Sequence, residues 1–224
     1  MTLESALESL KRGKFILIHD SQSRENEIDM VVASQFTTPE HIGIMRNRAG
    51  GLLCTAIDGM FADKLDLKFM HDILESSQVF NNKDMIAGIS PYGDRPSFSI
   101  TINHIDTYTG ITDIDKSKTI TKFSALFNLP DPKTIFTSTF KTPGHVPLLL
   151  AHTQLLKARR GHTEMSVYLA KLANLIPIMT ICEMMDIETH TALSIDKAQQ
   201  YAKQNNISLV NTNDLLQQFM VTRN

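Results

Sequence analysis

A series of short apolar runs, each closed by turn residues, narrows the fold more than any other feature. Phe15–Ile18, Glu27–Ala33 and Ile207–Val210 read as strands, and Leu52–Ile57 and Pro177–Glu183 as buried ones. Phe98, Ile100 and Ile102 alternate with Ser99 and Thr101, the pattern of a half-exposed strand. Segments of helical period lie between these runs. Leu3, Ala6, Leu7 and Leu10 share a face that ends at Gly13, and Thr38-Pro39-Glu40 opens a helix that closes near Gly50-Gly51. Further helices are expected over Lys116–Phe127, Thr163–Leu175 and Asp196–Gln204, with a capped one from Thr212. Asn81–Pro96 and Leu129–Thr142 read as irregular passages. The expected class is α/β (α+β), a single mixed-sheet domain flanked by helices. No linker or repeat divides the 224 residues, so one domain is expected over 1–224.

Charge and cysteine usage remove several function classes. Basic residues number 22 and acidic residues 24, for a formal net charge of -2. A nucleic-acid or anionic-membrane binder needs a basic surplus or stripe. Cys54 and Cys182 form no CxxC pair, which argues against a zinc knuckle or a thioredoxin-type redox motif, and two cysteines in a chain this long suggest a reducing, cytoplasmic setting. The N-terminal segment reads as an amphipathic helix and not a secretory signal. The apolar stretch Leu175–Met185 is broken by Pro177 and Glu183, too short to span a bilayer. Walker, GxGxxG, HExxH and GxSxG motifs do not occur.

Five constellations carry candidate chemistry. In Asp20–Asp29, an extended chain places Glu25, Glu27 and Asp29 on one side. Their mutual repulsion calls for a hard divalent cation, an arginine or water, and Arg24 alongside is suited to a phosphate. Arg159-Arg160-Gly161-His162-Thr163-Glu164 precedes a helix whose N-terminus attracts anions. There His162 is a candidate metal ligand, while Thr163 and Glu164 fit equally well as a helix cap. Pro143-Gly144 reads as a tight turn presenting His145, either a proton shuttle or a structural histidine. Glu183 closes a buried strand, as a crevice carboxylate or a solvated one. Cys54 reads as a small core residue more readily than as a nucleophile.

Taken in order, D-x-x-x-R-E-N-E-x-D, G-G-L-L-C, T-G-I, P-G-H-V, R-R-G-H-T-E and C-E resemble the 3,4-dihydroxy-2-butanone 4-phosphate synthases. The resemblance runs from about Phe15 to Leu215. It implies conversion of ribulose 5-phosphate to 3,4-dihydroxy-2-butanone 4-phosphate and formate, in riboflavin biosynthesis. It also implies Mg²⁺ or Mn²⁺, two ions per site with substrate bound, and a homodimer with sites near the interface. Carried over by motif, Glu25 and His162 are metal ligands. Arg24, Glu25, Asp29, Arg159, Arg160, Gly161, His162, Thr163 and Glu183 contact substrate. His145, Glu183 and Asp29 are catalytic, and Glu27, Cys54 and Thr109 are secondary lining candidates. A stand-alone enzyme is expected, without the fused second module of some relatives. The chain departs from the common pattern at Thr142, at Thr112–Lys116 and at Ile28. Two rivals are another metal-dependent sugar-phosphate isomerase or aldolase, and a non-catalytic metabolite-binding module. Formate release separates the first rival, and a missing acid or base would mark the second.

Overall fold

The protein is described by a computed structural model covering residues 2–221. Its strands are β1 (Ile16–His19), β2 (Ile28–Ala33), β3 (Cys54–Ile57), β4 (Phe98–His104), β5 (Phe140–Leu150), β6 (Ile178–Glu183), β7 (Met185–Asp186), β8 (Thr191–Ala192) and β9 (Ser208–Asn211). The helices are α1 (Leu3–Lys11), α2 (Pro39–Ile44), α3 (Gly59–Lys64), α4 (Met70–Ser76), α5 (Asp113–Ala125), α6 (Pro132–Thr139), α7 (His162–Leu172), α8 (Ile195–Asn205) and α9 (Thr212–Val221). Seven strands form one sheet in the order β4-β5-β3-β6-β2-β1-β9, and β7 and β8 form a separate hairpin. β1–β9 and β3–β5 are parallel and the other neighbours antiparallel, so the expected mixed sheet is present.

The sheet buries both faces, and the two-residue period of each strand sorts its side chains. Val31, Ala33, Cys54, Ala56, Met179 and Ile181 enter one core with Ala6 and Leu10 of α1 and Met165 and Leu169 of α7. Met30, Val32, Ile57, Ile178 and Cys182 enter the other, with Ile42 of α2 and Ile120 and Phe123 of α5. Fully burying one such side chain contributes about 1.5–3 kcal/mol, so the central strands are fixed in register. That register pairs Asp29, near the start of β2, with Glu183 at the end of β6. The alternation places both on the face covered by α7.

Several expected boundaries shift. Leu129–Thr142 is not irregular throughout, because Asp131 caps α6 and β5 begins at Phe140. The Pro143-Gly144 tight turn is replaced by continuous strand in β5. Gly144 is needed there for close approach: a Cβ on it would lie 2.0 Å from the Ile102 backbone carbon of β4. α2 continues through a π-helical turn, Met45–Ala49, to Gly50 at φ +86, close to the expected terminator. Among the described residues, no helix is long and apolar enough to cross a membrane.

Candidate active site

β1 leads into Asp20, a buried carboxylate. One of its oxygens accepts the Glu25 N–H at 2.9 Å and the other the Glu27 N–H at 3.1 Å. Satisfying two loop donors in this way fixes the reversal from β1 to β2. Asn26 completes it in the left-handed region that Asn tolerates, at φ +56. The expected extended run from Glu25 to Asp29 is therefore corrected: residues 22–25 form a turn, and extended structure starts at Ile28. The acids converge nonetheless. Glu25, Glu27, Asp29, Arg159, His162 and Glu183 line one cavity of about 190 Å³.

His162 is the first residue of α7, and Gly161 holds the N-cap position. Thr163, one of the cap candidates, is instead the second helical residue and lines the cavity. The cap must be small, because a Cβ on Gly161 would stand 2.2 Å from Arg159 Nη1 and 2.9 Å from Arg24 Nη2. His162 Nε2–H donates to the Glu27 carbonyl at 3.1 Å, since a carbonyl only accepts. Nδ1 then lies 3.3 Å from Glu25 Oε2 and 3.8 Å from Asp29 Oδ1. A lone pair aimed at two carboxylates is repulsive unless a proton or a cation stands between them.

Without a cation the ring keeps the proton. Burial pushes the His162 pKa down, but the Asp29 charge and the Glu25 hydrogen bond outweigh it and raise the value to about 9. Burial opposes the charged form of Glu25, yet the His162 hydrogen bond and the Arg24 charge hold it at about 2. Burial, with the charges of Glu183, Glu25 and Glu27, pushes Asp29 up to about 7 against the pull of His162. Asp29 Oδ1 is buried with no hydrogen-bond partner. This excess of carboxylate around an aligned imidazole fits a divalent cation. A histidine ligand whose other ring N–H is spent on a backbone carbonyl is the usual arrangement at such sites. Asp20 stands within 4.8 Å of the Glu25 and His162 ligand atoms. Both Asp20 oxygens, however, already accept loop N–H groups, whereas Glu25 is held by side chains alone, Arg24 and His162, which favours Glu25 and His162 as the candidate donors.

Glu183 Oε2 accepts the Leu52 N–H at 2.7 Å. A Cβ on Gly51 would fall 2.6 Å from that oxygen, so Gly51 makes room for the carboxylate. Burial pushes the Cys54 thiol up, and its side chain packs in the core, the bland reading of that residue. Arg24 Nη1 donates to Glu25 Oε2 at 2.7 Å, and Arg159 Nη1 to Glu164 Oε2 at 2.6 Å. Glu164 is fully buried, an anchor for Arg159 more than a first-turn acid. Arg24 Nη2 is buried without a hydrogen-bond partner, an unfinished donor beside the start of α7, while Arg159 Nε faces Asp94 Oδ2 at 3.6 Å, beyond hydrogen-bond distance. Arg160 is exposed and outside the cavity lining.

His145 also stays outside that lining. It lies on β5, where Asn103 Oδ1 accepts its N–H at 2.8 Å and Asn103 Nδ2 lies 3.1 Å from its Nδ1. The same Nδ2 donates to the Thr109 carbonyl at 3.4 Å. Thr109 and His145 therefore share a second cluster, with Asp115 accepting the N–H groups of Tyr108, Thr109 and Gly110. In the departure Thr112–Lys116, Asp115 thus organises the Thr109-Gly110 loop.

Residues 4–218 match the family profile of 3,4-dihydroxy-2-butanone 4-phosphate synthase. The chain belongs to that family. A 3,4-dihydroxy-2-butanone 4-phosphate synthase of Methanothermobacter thermautotrophicus is 38% identical over 99% of this chain and 97% of its own. Among solved structures, the synthase of Candida albicans is 29% identical with a TM-score of 0.78, covering 98% of this chain and 97% of that one. A synthase in complex with two magnesium ions is 25% identical with a TM-score of 0.79, covering 100% and 98%.

For a 3,4-dihydroxy-2-butanone 4-phosphate synthase, the chain spreads its motifs over two places. R-E-N-E-x-D, R-R-G-H-T-E and C-E meet in the cavity, whereas T-G-I and P-G-H-V meet around Asn103. Asp20, Asp94 and Glu164 are site-building residues that motif reading left without such a role. A signal for Asp20 was present: an acid just after a strand and before a short reversal. Asp94 had none, because an acid in a loop rich in polar residues looks like solvent-facing charge.

Proposed function

We propose that this chain converts ribulose 5-phosphate to 3,4-dihydroxy-2-butanone 4-phosphate and formate, in riboflavin biosynthesis. The carrying observation is the convergence of Glu25 Oε2, His162 Nδ1 and Asp29 Oδ1, the last without a hydrogen bond, beside Glu183 in one cavity. Glu25 and His162 hold Mg²⁺ or Mn²⁺, with two ions per site when substrate is bound. The two-magnesium relative supports this reading. A bound divalent ion supplies Lewis acidity toward charge developing on the sugar oxygens.

The chain's own groups do the rest. Arg24 and Arg159, with the α7 N–H groups near Thr163, take the phosphate. Asp29, buried beside Glu183 on the adjacent strand, is placed to take a proton beside the carbonyl and return it later. Glu183, fixed by the Leu52 N–H, is the second base on the same strand pair. Enolisation, loss of water, rearrangement of the carbon skeleton, rehydration and departure of C4 as formate need several proton transfers. One water leaves and one returns, so substrate atoms equal product atoms. His145 serves as a further proton shuttle; its place outside the cavity lining, hydrogen-bonded to Asn103, supports its delivery from a second copy of the chain. The functional unit is then a homodimer, in the cytoplasm. The test is incubation with ribulose 5-phosphate and Mg²⁺: formate accumulates, and a chelator stops it. Consumption of the sugar phosphate without formate favours the isomerase or aldolase reading.

Metal binding carries a pH signature. Nδ1 must lose its proton to act as a ligand, and that proton leaves near pH 9 in the ion-free site. Between pH 7 and 9 divalent-ion affinity is expected to rise about tenfold per pH unit, with about one proton released per ion, and to level off above. Calorimetry in buffers of different ionisation enthalpy reads both quantities. His162→Ala is expected to lose affinity and slope together. Normal affinity in that variant removes His162 from the ligand set.

A further inference from the structure

Asp94 lies in the irregular passage before β4, yet its carboxylate reaches Arg159, which lines the cavity, and Arg24, which holds Glu25 of that lining. Oδ2 accepts Arg24 Nε at 2.9 Å and stands 3.6 Å from Arg159 Nε. A tight turn delivers it. The Ser90 carbonyl accepts the Gly93 N–H at 2.9 Å, the Ser90 N–H donates to the Asp94 carbonyl at 2.8 Å, and Gly93 has φ +91. The same turn lays the Tyr92 ring 4.8 Å from the Arg24 guanidinium carbon. The passage is fastened elsewhere by Arg95, which donates to Glu75 Oε1 at 2.6 Å and to the Ala87 carbonyl at 3.2 Å. The Asp94 carboxylate is thus not what keeps the segment in place.

The Arg24 guanidinium is tied along two edges, with Nη1 on Glu25 and Asp20 and Nε on Asp94. Its Nη2 is left buried and unpartnered, an uncommon and unfavourable state. Arg24 Nη2 and Arg159 Nη1 both come to the same spot beside Gly161. Two guanidiniums brought that close repel each other. A carboxylate between their Nε edges offsets the repulsion, orienting Arg24 by a hydrogen bond and Arg159 by charge beside its Glu164 anchor, without covering Arg24 Nη2.

We propose that Asp94 is a positioning residue for phosphate recognition, bridging the two arginines so that their remaining donors form a preformed cradle. This rests on the reading that Arg24 and Arg159 hold the substrate phosphate. Preorganisation of this kind lowers the ordering cost of binding and acts on affinity more than on chemistry.

The test uses the full-length protein with Mg²⁺. Asp94→Asn keeps the side-chain shape and removes the charge. Its KM for ribulose 5-phosphate and its Kd for inorganic phosphate, measured calorimetrically, are expected to rise together by about tenfold, with kcat within about threefold of the parent. The melting temperature stays unchanged, and Asp94→Glu recovers part of the affinity. Arg159→Gln is the control for the underlying reading. If it leaves phosphate binding unchanged, the arginines do not hold phosphate and that reading fails first. If it weakens phosphate binding while Asp94→Asn leaves Kd and KM unchanged, or tightens them, the positioning role is overturned. A lowered melting temperature with kcat falling as much as affinity in Asp94→Asn marks a structural role and also overturns it.

Discussion

Replacing Glu183 with Gln is expected to lower kcat on ribulose 5-phosphate by about 100-fold or more while KM changes little. The substitution is nearly isosteric. The amide oxygen still accepts the Leu52 N–H that holds Glu183 Oε2 at 2.7 Å, and the space left by Gly51 is unchanged. The arginines proposed to hold phosphate lie on other elements and keep their partners. What disappears is a proton acceptor beside Asp29 on the adjacent strand. A loss confined to kcat is the mark of a group acting in the transition state. Stopped-assay kinetics on the purified variant, with its melting temperature as a folding control, reads the effect. Turnover near that of the parent would reassign Glu183 to holding the Gly51-Leu52 backbone.

The second large effect concerns His145. His145→Ala and Glu183→Gln are each expected to be nearly inactive alone. Mixed under conditions that exchange subunits, they recover about a quarter of parental activity, because half the dimers are mixed and each mixed dimer has one intact site. In the proposed dimer, the intact site would combine the Glu183 cavity of one protomer with His145 from the other. The prediction follows from the two separate clusters: Glu183 lines the acidic cavity, while His145 is bound to Asn103 beside Thr109. Sedimentation at micromolar concentration is expected to show the dimer. If dimers exchange and no activity returns, both residues act in one protomer.

The fold was largely legible because its central strands are short apolar runs whose two faces are both buried, as at Met30–Ala33 and Ile178–Cys182. The class and most strand positions follow from that pattern. Two kinds of element escaped. α3 and α4 are short, and α4 buries none of its residues, so no clear periodicity marks it. β5 contains Pro143, Gly144 and Pro147, residues that ordinarily signal a turn, and the close passage beside β4 reverses their meaning. Within the site, Glu25 and His162 were singled out as a pair by the family resemblance, and their side chains do meet. The supporting groups were not. Asp94 lies 70 residues from Arg24 in sequence, and nothing local ties them. Glu164 looked like a helix-start acid until its burial showed it gripping Arg159.

The most direct measurement of the proposed reaction is ribulose 5-phosphate labelled with ¹³C at C4, followed by NMR with Mg²⁺ present. The label is expected to appear in formate alone, one formate per sugar phosphate consumed, with the four-carbon phosphate unlabelled and the signal lost on chelation. Label retained in a five-carbon phosphate, or carried into a two- or three-carbon fragment, would contradict the proposed reaction.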